Sequence, residues 1–160
     1  METEFEKQQA LFWQQVGEHG CMVLSTSLHD EVTYRMMSFL LLEGELWFQT
    51  DRRFQKYRQL RENPRVSLCR DNMTIQGLCR EVGRPSDNPA FCEKYRQFFS
   101  RSYRLYTGLE EERLFAITPV KAQKWMYDED GQPYVETLDF RQRVYGKEAY
   151  PCQKSSCPSF

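Results

Sequence analysis

Hydrophobic and polar positions follow two different periods along this chain, and the switches between them mark out its elements. Phe5, Gln9, Phe12 and Val16 recur at helical spacing, and Gly17 and Gly20 stop the pattern, which predicts a helix over residues 5–16. Strand-like stretches follow at residues 21–27 and 32–42, separated by the polar turn Leu28-His29-Asp30-Glu31. The turn Glu43-Gly44-Glu45 leads into a further strand over residues 46–50, so this region reads as a β-hairpin. The period then lengthens. Phe54, Tyr57, Leu60 and Arg61 predict a short helix over residues 53–62, closed by Asn63-Pro64.

Residues 65–70 and 73–83 read as a second hairpin about the turn Asp71-Asn72. Asn88-Pro89 is an N-cap followed by proline in the first helical position, and Phe91, Tyr95, Phe98 and Ser102 mark one face of the helix it starts. Two more strands are expected at residues 113–117 and 122–127, broken by Thr118-Pro119, with Asp128-Glu129-Asp130-Gly131 a turn and the remainder irregular. The strands come in consecutive hairpins rather than alternating with helices, which argues against a doubly wound parallel sheet. Six short antiparallel strands with helical plugs can instead close into a small barrel. One domain over residues 1–150 is expected, with a flexible tail at 151–160.

Composition narrows the partners. Lys plus Arg total 22 against 23 for Asp plus Glu, so the net charge of -1 offers no long-range attraction for nucleic acid or anionic lipid. The acidic start Met1-Glu2-Thr3-Glu4 lacks the layout of a secretory signal, and no apolar run reaches the ~20 residues that cross a bilayer. A cytoplasmic location is therefore expected, with six reduced cysteines. Cys21, Cys69, Cys79 and Cys92 read as small hydrophobes, and Cys152 and Cys157 as exposed thiols of the tail, since no third or fourth metal ligand stands near them. His19 and His29 read as surface residues, and Glu110-Glu111-Glu112 as a solvated acidic patch.

The chemistry concentrates between residues 34 and 56. Arg35 lies within an apolar strand, on the face of Met37, Phe39 and Leu41 by period-two counting. An isolated buried guanidinium is costly, so it needs an anion or a route to water. Thr50 ends the next strand, and Lys56 follows on a helix with Arg52 and Arg53 about its first turn, where cations oppose the helix dipole. A phosphate would satisfy Arg35, Lys56, the Thr50 hydroxyl and free backbone N–H groups together. The alternative is an ordinary ion pair for Arg35 and a solvated Lys56, and residue types alone leave both open.

The runs Val32-Thr33-Tyr34-Arg35-Met36-Met37-Ser38-Phe39, Gly44-Glu45-Leu46-Trp47-Phe48-Gln49-Thr50-Asp51 and Lys56-Tyr57-Arg58-Gln59-Leu60-Arg61-Glu62-Asn63-Pro64-Arg65-Val66 resemble the pyridoxamine-phosphate oxidase-like family of FMN-binding split β-barrels, over roughly residues 10–127. The resemblance implies a mainly β fold, a six-stranded antiparallel split barrel with flanking helices. It also implies an FMN cofactor and a homodimer with the flavin at the interface. Arg35 and Lys56 resemble the residues that meet the FMN phosphate. Met36, Met37 and Ser38 resemble the strand backbone along the isoalloxazine ring, and Gln49 and Thr50 the pair ending the next strand. Asn72 and Trp125 resemble residues that reach the flavin from the partner subunit, although a strand-core aromatic is the plain reading of Trp125.

One departure stands out. In the oxidase proper an Arg-x-His element follows the late tryptophan and holds pyridoxine phosphate. Here Trp125 is followed by Met126-Tyr127-Asp128-Glu129-Asp130-Gly131-Gln132-Pro133, with no histidine and no arginine. The expectation is an FMN-dependent oxidoreductase acting on some other small molecule. A non-catalytic flavin- or haem-binding module on the same barrel is the alternative, and a cofactor-free dimerisation domain a third reading.

Overall fold

A computed structural model describes residues 1–152. The chain runs α1 (Glu4–Val16), β1 (His19–Leu28), β2 (Glu31–Leu42), β3 (Glu45–Asp51), α2 (Gln55–Glu62), β4 (Arg65–Arg70), β5 (Met73–Gly83), α3 (Pro89–Phe98), β6 (Glu112–Tyr127), β7 (Pro133–Asp139) and β8 (Val144–Ala149). Two-residue turns join β1 to β2 and β2 to β3. They are tight because His29 and Asp30, then Glu43 and Gly44, adopt positive φ, the twist-matched hairpin geometry.

All pairings are antiparallel. The strand order is β3-β2-β1-β4-β5-β6-β7-β8, and β3 also pairs with β6, so β1 to β6 close into a six-stranded barrel flanked by helices. Alternate residues of each strand fill the interior, among them Met22, Leu24, Phe39, Leu46, Phe48, Leu68, Ile75 and Ile117. Phe5, Phe12 and Val16 of α1 join this core at one end, and Leu60 of α2 joins it at the other. A Thr3–Glu6 capping box starts α1, and Arg70 donates to the Gln15 and Val16 carbonyls at its C-terminus. Outside the barrel, Phe91 and Tyr95 of α3 pack on Leu40 and Leu114, forming a second small core.

Three expectations are corrected. The strands expected on either side of Pro119 are one strand, β6. Pro119 sits at the register shift opposite Gly77, beyond the end of the β3 ladder at Ile117 and before the β7 ladder begins at Lys121. No ladder partner on that side asks for its missing N–H, so the proline does not break the strand. The remainder expected to be irregular forms β7 and β8, whose hairpin extends the sheet beyond the barrel toward α1. The helix begun at Asn88 ends at Phe98, and the chain continues through the turn Ser100–Ser102 into a π-helical turn Tyr103–Thr107.

Candidate functional site

The site grows from a divergence of two strands. β2 pairs with β1 from Glu31 to Leu40, but with β3 only from Leu40 to Leu42. Beyond Trp47, β3 leans onto β6 and pairs with it from Leu46 to Asp51. The edge of β2 from Thr33 to Phe39 that faces away from β1 therefore has no strand partner, and its main-chain polar groups need one. Register sets the faces. Thr33, Arg35 and Met37 stand opposite Thr26, Leu24 and Met22 and point inward, whereas Tyr34, Met36 and Ser38 point outward.

Arg35 sits at the barrel mouth under α2. Its guanidinium donates to Thr26 Oγ1 (2.8 Å), Thr33 Oγ1 (2.6 Å) and the Leu24 carbonyl (3.2 Å). Both threonine hydroxyls in turn donate to Gln59 Oε1 from α2, at 2.6 and 2.8 Å. Gln59 thus fixes the hydroxyl rotors so that their lone pairs face Arg35. All these acceptors are neutral, and among the described residues no carboxylate lies within 4.0 Å of Arg35 or of Lys56. Lys56 is half-buried, with its ammonium 4.6 Å from the centre of the Phe54 ring. Burial, and after it the charge of Arg35, lowers the Lys56 pKa, which places the two cations in one electrostatic neighbourhood. Two half-buried cations that repel one another, neither with a carboxylate within 4.0 Å among the described residues, favour an anion close to both.

Arg52 and Arg53 do not share that need, which corrects the expectation that grouped them with it. Arg52 pairs with Glu111, and Arg53 with Asp51, whose carboxylate accepts from Arg53 Nη2 at 2.6 Å and Nε at 3.0 Å. These bonds hold the Asp51 carboxyl down at about 2. Asp51, just before α2, and Glu111, just before β6, offset the cations there.

The pleat separates Gln49 from Thr50. Thr50 is buried and shares the inward face of Leu46 and Phe48, whereas the Gln49 side chain faces the outer layer and accepts from the Thr107 hydroxyl at 2.8 Å. Nearby lies a residue the sequence pattern hid. Glu112, read as part of a solvated patch, is 6% exposed, and its Oε2 is buried without a hydrogen-bond partner among the described residues. Burial first, then the neighbouring Asp51, pushes its carboxyl up to about 7. No sequence signal separates Glu112 from Glu110 and Glu111, because burial comes from its placement opposite Asp51 beneath α3.

Asn72 and Trp125 form a second pole. Asn72 Nδ2 donates to the Trp125 carbonyl (2.8 Å), and the Trp125 N–H donates back to the Asn72 carbonyl (3.1 Å). Trp125 is exposed, edge-on to Tyr150 at 5.1 Å, and is not the core aromatic of the plain reading. Leu24 pairs with both Arg35 and Leu68, and Asn72 lies four residues beyond Leu68. At 3.3 Å per residue the two poles of one chain stand about 13 Å apart along the barrel.

The other predicted features separate as follows. Cys79 is buried and Cys92 half-buried, but Cys21 and Cys69 point outward and are exposed, a correction to their reading as small hydrophobes. Cys152 is exposed, 3.3 Å from Gln132 Oε1, and Cys157 lies outside the described residues. A groove of about 670 Å³ runs over the outer face of β1, β4 and β5, past Ser25, Ser67, Gln76 and Arg141, and touches none of the predicted site residues.

The family model for pyridoxamine 5'-phosphate oxidase matches residues 6–126. No curated protein sequence matches the chain. Among solved structures, a pyridoxamine 5'-phosphate oxidase-related, FMN-binding protein from Nostoc punctiforme is 16% identical over 82% of this chain and 87% of its own, with a TM-score of 0.60. PhzG from Burkholderia lata, crystallised with tetrahydrophenazine-1-carboxylic acid, is 14% identical over 91% of this chain and 90% of its own, with a TM-score of 0.61. The haem storage protein HutZ from Vibrio cholerae is 16% identical over 73% of this chain and 91% of its own, with a TM-score of 0.54. At these identities the structures share a fold. The family match runs from α1 through nearly all of β6, and on it the chain belongs to the pyridoxamine 5'-phosphate oxidase family.

Proposed function

We propose that the protein is a homodimeric FMN-binding oxidoreductase of the cytoplasm whose substrate is a small molecule other than pyridoxine phosphate. The observation that carries this reading is the pair of neighbouring cations, Arg35 and Lys56, with no carboxylate partner among the described residues. Arg35, Lys56 and the Thr50 hydroxyl would hold the phosphate. The free edge of β2 at Met36, Met37 and Ser38 would lie along the ring, with Gln49 contributing main chain because its side chain is held by Thr107. When bound, FMN supplies the hydride or electron transfer, and the protein binds and orients it.

A dimer is favoured by two features. Val32, Tyr34 and Met36 make an apolar row on the outer face of β2, exposed at 67%, 77% and 63%. The Asn72–Trp125 pole, displaced about 13 Å from Arg35 along the strands of the same chain, would complete the pocket of a second copy. The stretch after Trp125 enters β7 without an Arg-x-His element, which speaks against pyridoxine phosphate. Free exposed Cys21 and Cys69 suit a reducing compartment, and no helix among the described residues is long and apolar enough to cross a membrane.

Purified protein should be yellow, and Arg35→Ala combined with Lys56→Ala should release the chromophore. Colourless protein that leaves FMN fluorescence unchanged in a titration would refute the reading. Oxidation of NADH or NADPH against a panel of quinone, nitro and azo acceptors would then define the substrate. Haem is the less favoured ligand: His19 is stacked on Phe98 at 3.9 Å and His29 sits on an exposed turn beside Glu62. A Soret band on haem addition, lost when either histidine is replaced, would reverse that order.

A further inference from the structure

Glu112 opens β6 directly opposite Asp51, so the two carboxylates project from the same face of the ladder. Like charges so placed repel, and the structure relieves only one. Asp51 accepts from the Arg53 guanidinium and main-chain N–H, whereas Glu112 Oε2 is buried with no donor among the described residues. The other charged or titratable groups around Glu112 do not neutralise it. Tyr95 of α3 is a neutral phenol, pushed up to about 12 by burial. Arg113 directs its guanidinium to the Glu110 and Glu112 carbonyls and toward Glu81, and Glu111 is taken by Arg52. Lys56 of α2 remains, an ammonium opposed by the charge of Arg35 and favoured by those of Glu112 and Asp51.

Charge counting then sets a constraint. Arg53 cancels Asp51, and Arg35 and Lys56 contribute two positive charges. An ionised Glu112 reduces the local sum to one, and a protonated Glu112 leaves two, which matches a phosphate-ester dianion. We infer that Glu112, on the outer face of the ladder with Gln49 and opposite the Asp51 that leads into α2, sets the charge of the phosphate subsite from behind Lys56, taking up one proton from solvent as the dianion enters. The inference rests on the phosphate reading of Arg35 and Lys56. It makes Glu112 a buried charge regulator with no need to touch the ligand. Because Glu112 already titrates near neutrality, the incoming dianion has only to complete a shift that burial and Asp51 began.

The test is FMN affinity against pH. FMN is already a dianion above its own second pKa of about 6. If one proton is taken up on binding, the Kd should therefore weaken about tenfold per pH unit above about pH 8, and less steeply between pH 7 and 8, where free Glu112 is already partly protonated. Calorimetry at pH 8 in two buffers of different ionisation enthalpy should report about one proton taken up per FMN. In Glu112→Gln the pH dependence and the proton uptake should both vanish. In Lys56→Arg, which keeps the charge but cannot titrate here, they should persist; that wild-type and Lys56→Arg comparison decides the matter even if Glu112→Gln does not fold. Tighter binding of FMN than riboflavin with no proton uptake overturns this inference alone, as does uptake that survives Glu112→Gln and disappears in Lys56→Arg. Equal binding of riboflavin and FMN overturns the phosphate reading itself.

Discussion

Replacing Arg35 with methionine separates what the guanidinium does for the fold from what it does for an anion. Within the chain it makes three hydrogen bonds of 3.2 Å or shorter to neutral oxygens, on Leu24, Thr26 and Thr33, and a longer one of 3.5 Å to the Thr33 carbonyl. Hydrogen bonds of that kind contribute about 1 kcal/mol each net, or about 3 kcal/mol in all. Against them stands the desolvation of a half-buried cation, which lowers the Arg35 pKa and, discounted for the water that still reaches it, offsets roughly 1–3 kcal/mol. After the substitution, Thr26 and Thr33 keep their bonds to Gln59, and a methionine side chain extends the apolar row of Leu24 and Met37. The apoprotein should therefore stay within about 1 kcal/mol of the parent in a urea titration.

For a phosphate ester the balance is one-sided. Two N–H donors to a charged oxygen at about 1.5–3 kcal/mol each amount to at least 3 kcal/mol, or a Kd for FMN more than about 100-fold weaker. Riboflavin, which lacks the phosphate, should bind parent and variant alike. Flavin fluorescence titrations with both ligands supply the comparison. A change below tenfold for FMN, or an equal loss for riboflavin, would refute the assignment of Arg35 to the phosphate.

Three further outcomes follow from the same structure. In the folded apoprotein Glu112 titrates near 7 instead of 4.5, so between those values the folded chain holds a proton the unfolded chain has lost, and stability falls as pH rises through that window. Glu112→Gln should therefore stabilise the apoprotein at pH 8 more than at pH 4 in paired denaturation curves; an equal effect at both would show that the carboxyl is not strained. Tyr34→Asp with Met36→Asp should leave the barrel folded by circular dichroism but convert the dimer to monomer in light scattering, with loss of FMN, and a dimer that persists would place the interface elsewhere. A Cβ on Gly77 would meet Ile117 Cγ2 at 2.5 Å and the Thr118 carbonyl at 2.9 Å, so Gly77→Ala should lower the unfolding free energy by about 1–3 kcal/mol. An unchanged urea midpoint would contradict that tight packing at the bulge.

What was legible in the sequence was local. The barrel hairpins announced themselves through alternation and tight turns, and Arg35 through a charge on an apolar face, because these patterns are fixed by neighbours in sequence. The features that escaped depend on distant segments. Pro119 looked like a break because only the ladder shows that β6 changes partners there, from β3 to β7. β8 escaped because five of its six residues are exposed and the sixth only half-buried; main-chain pairing with β7 holds it, leaving no hydrophobic period to read. Arg52 and Arg53 looked like phosphate ligands until Glu111 and Asp51 were found beside them, and Glu112 looked solvated until β3 and α3 were seen to cover it.

The exposed edge of β2 is a consequence of how the barrel closes. β3 can reach β6 over six residues only by leaving β2 after three, and that departure strips β2 of a partner from Thr33 to Phe39. A free strand edge beside a row of exposed apolar side chains is an aggregation hazard that folded proteins ordinarily blunt with charge, proline or a bulge. Here the outward positions of that edge are Val32, Tyr34, Met36 and Ser38, none of them charged. The uncapped edge is then best understood as one awaiting cover. A flat ring with hydrogen-bonding atoms along its rim suits the main chain, and a second barrel suits the apolar row. On the reading proposed above, Arg35 and Lys56 would hold the ring's phosphate at the open end of the same divergence. Closing the barrel and opening the site are thus one structural event, set by where β3 exchanges β2 for β6.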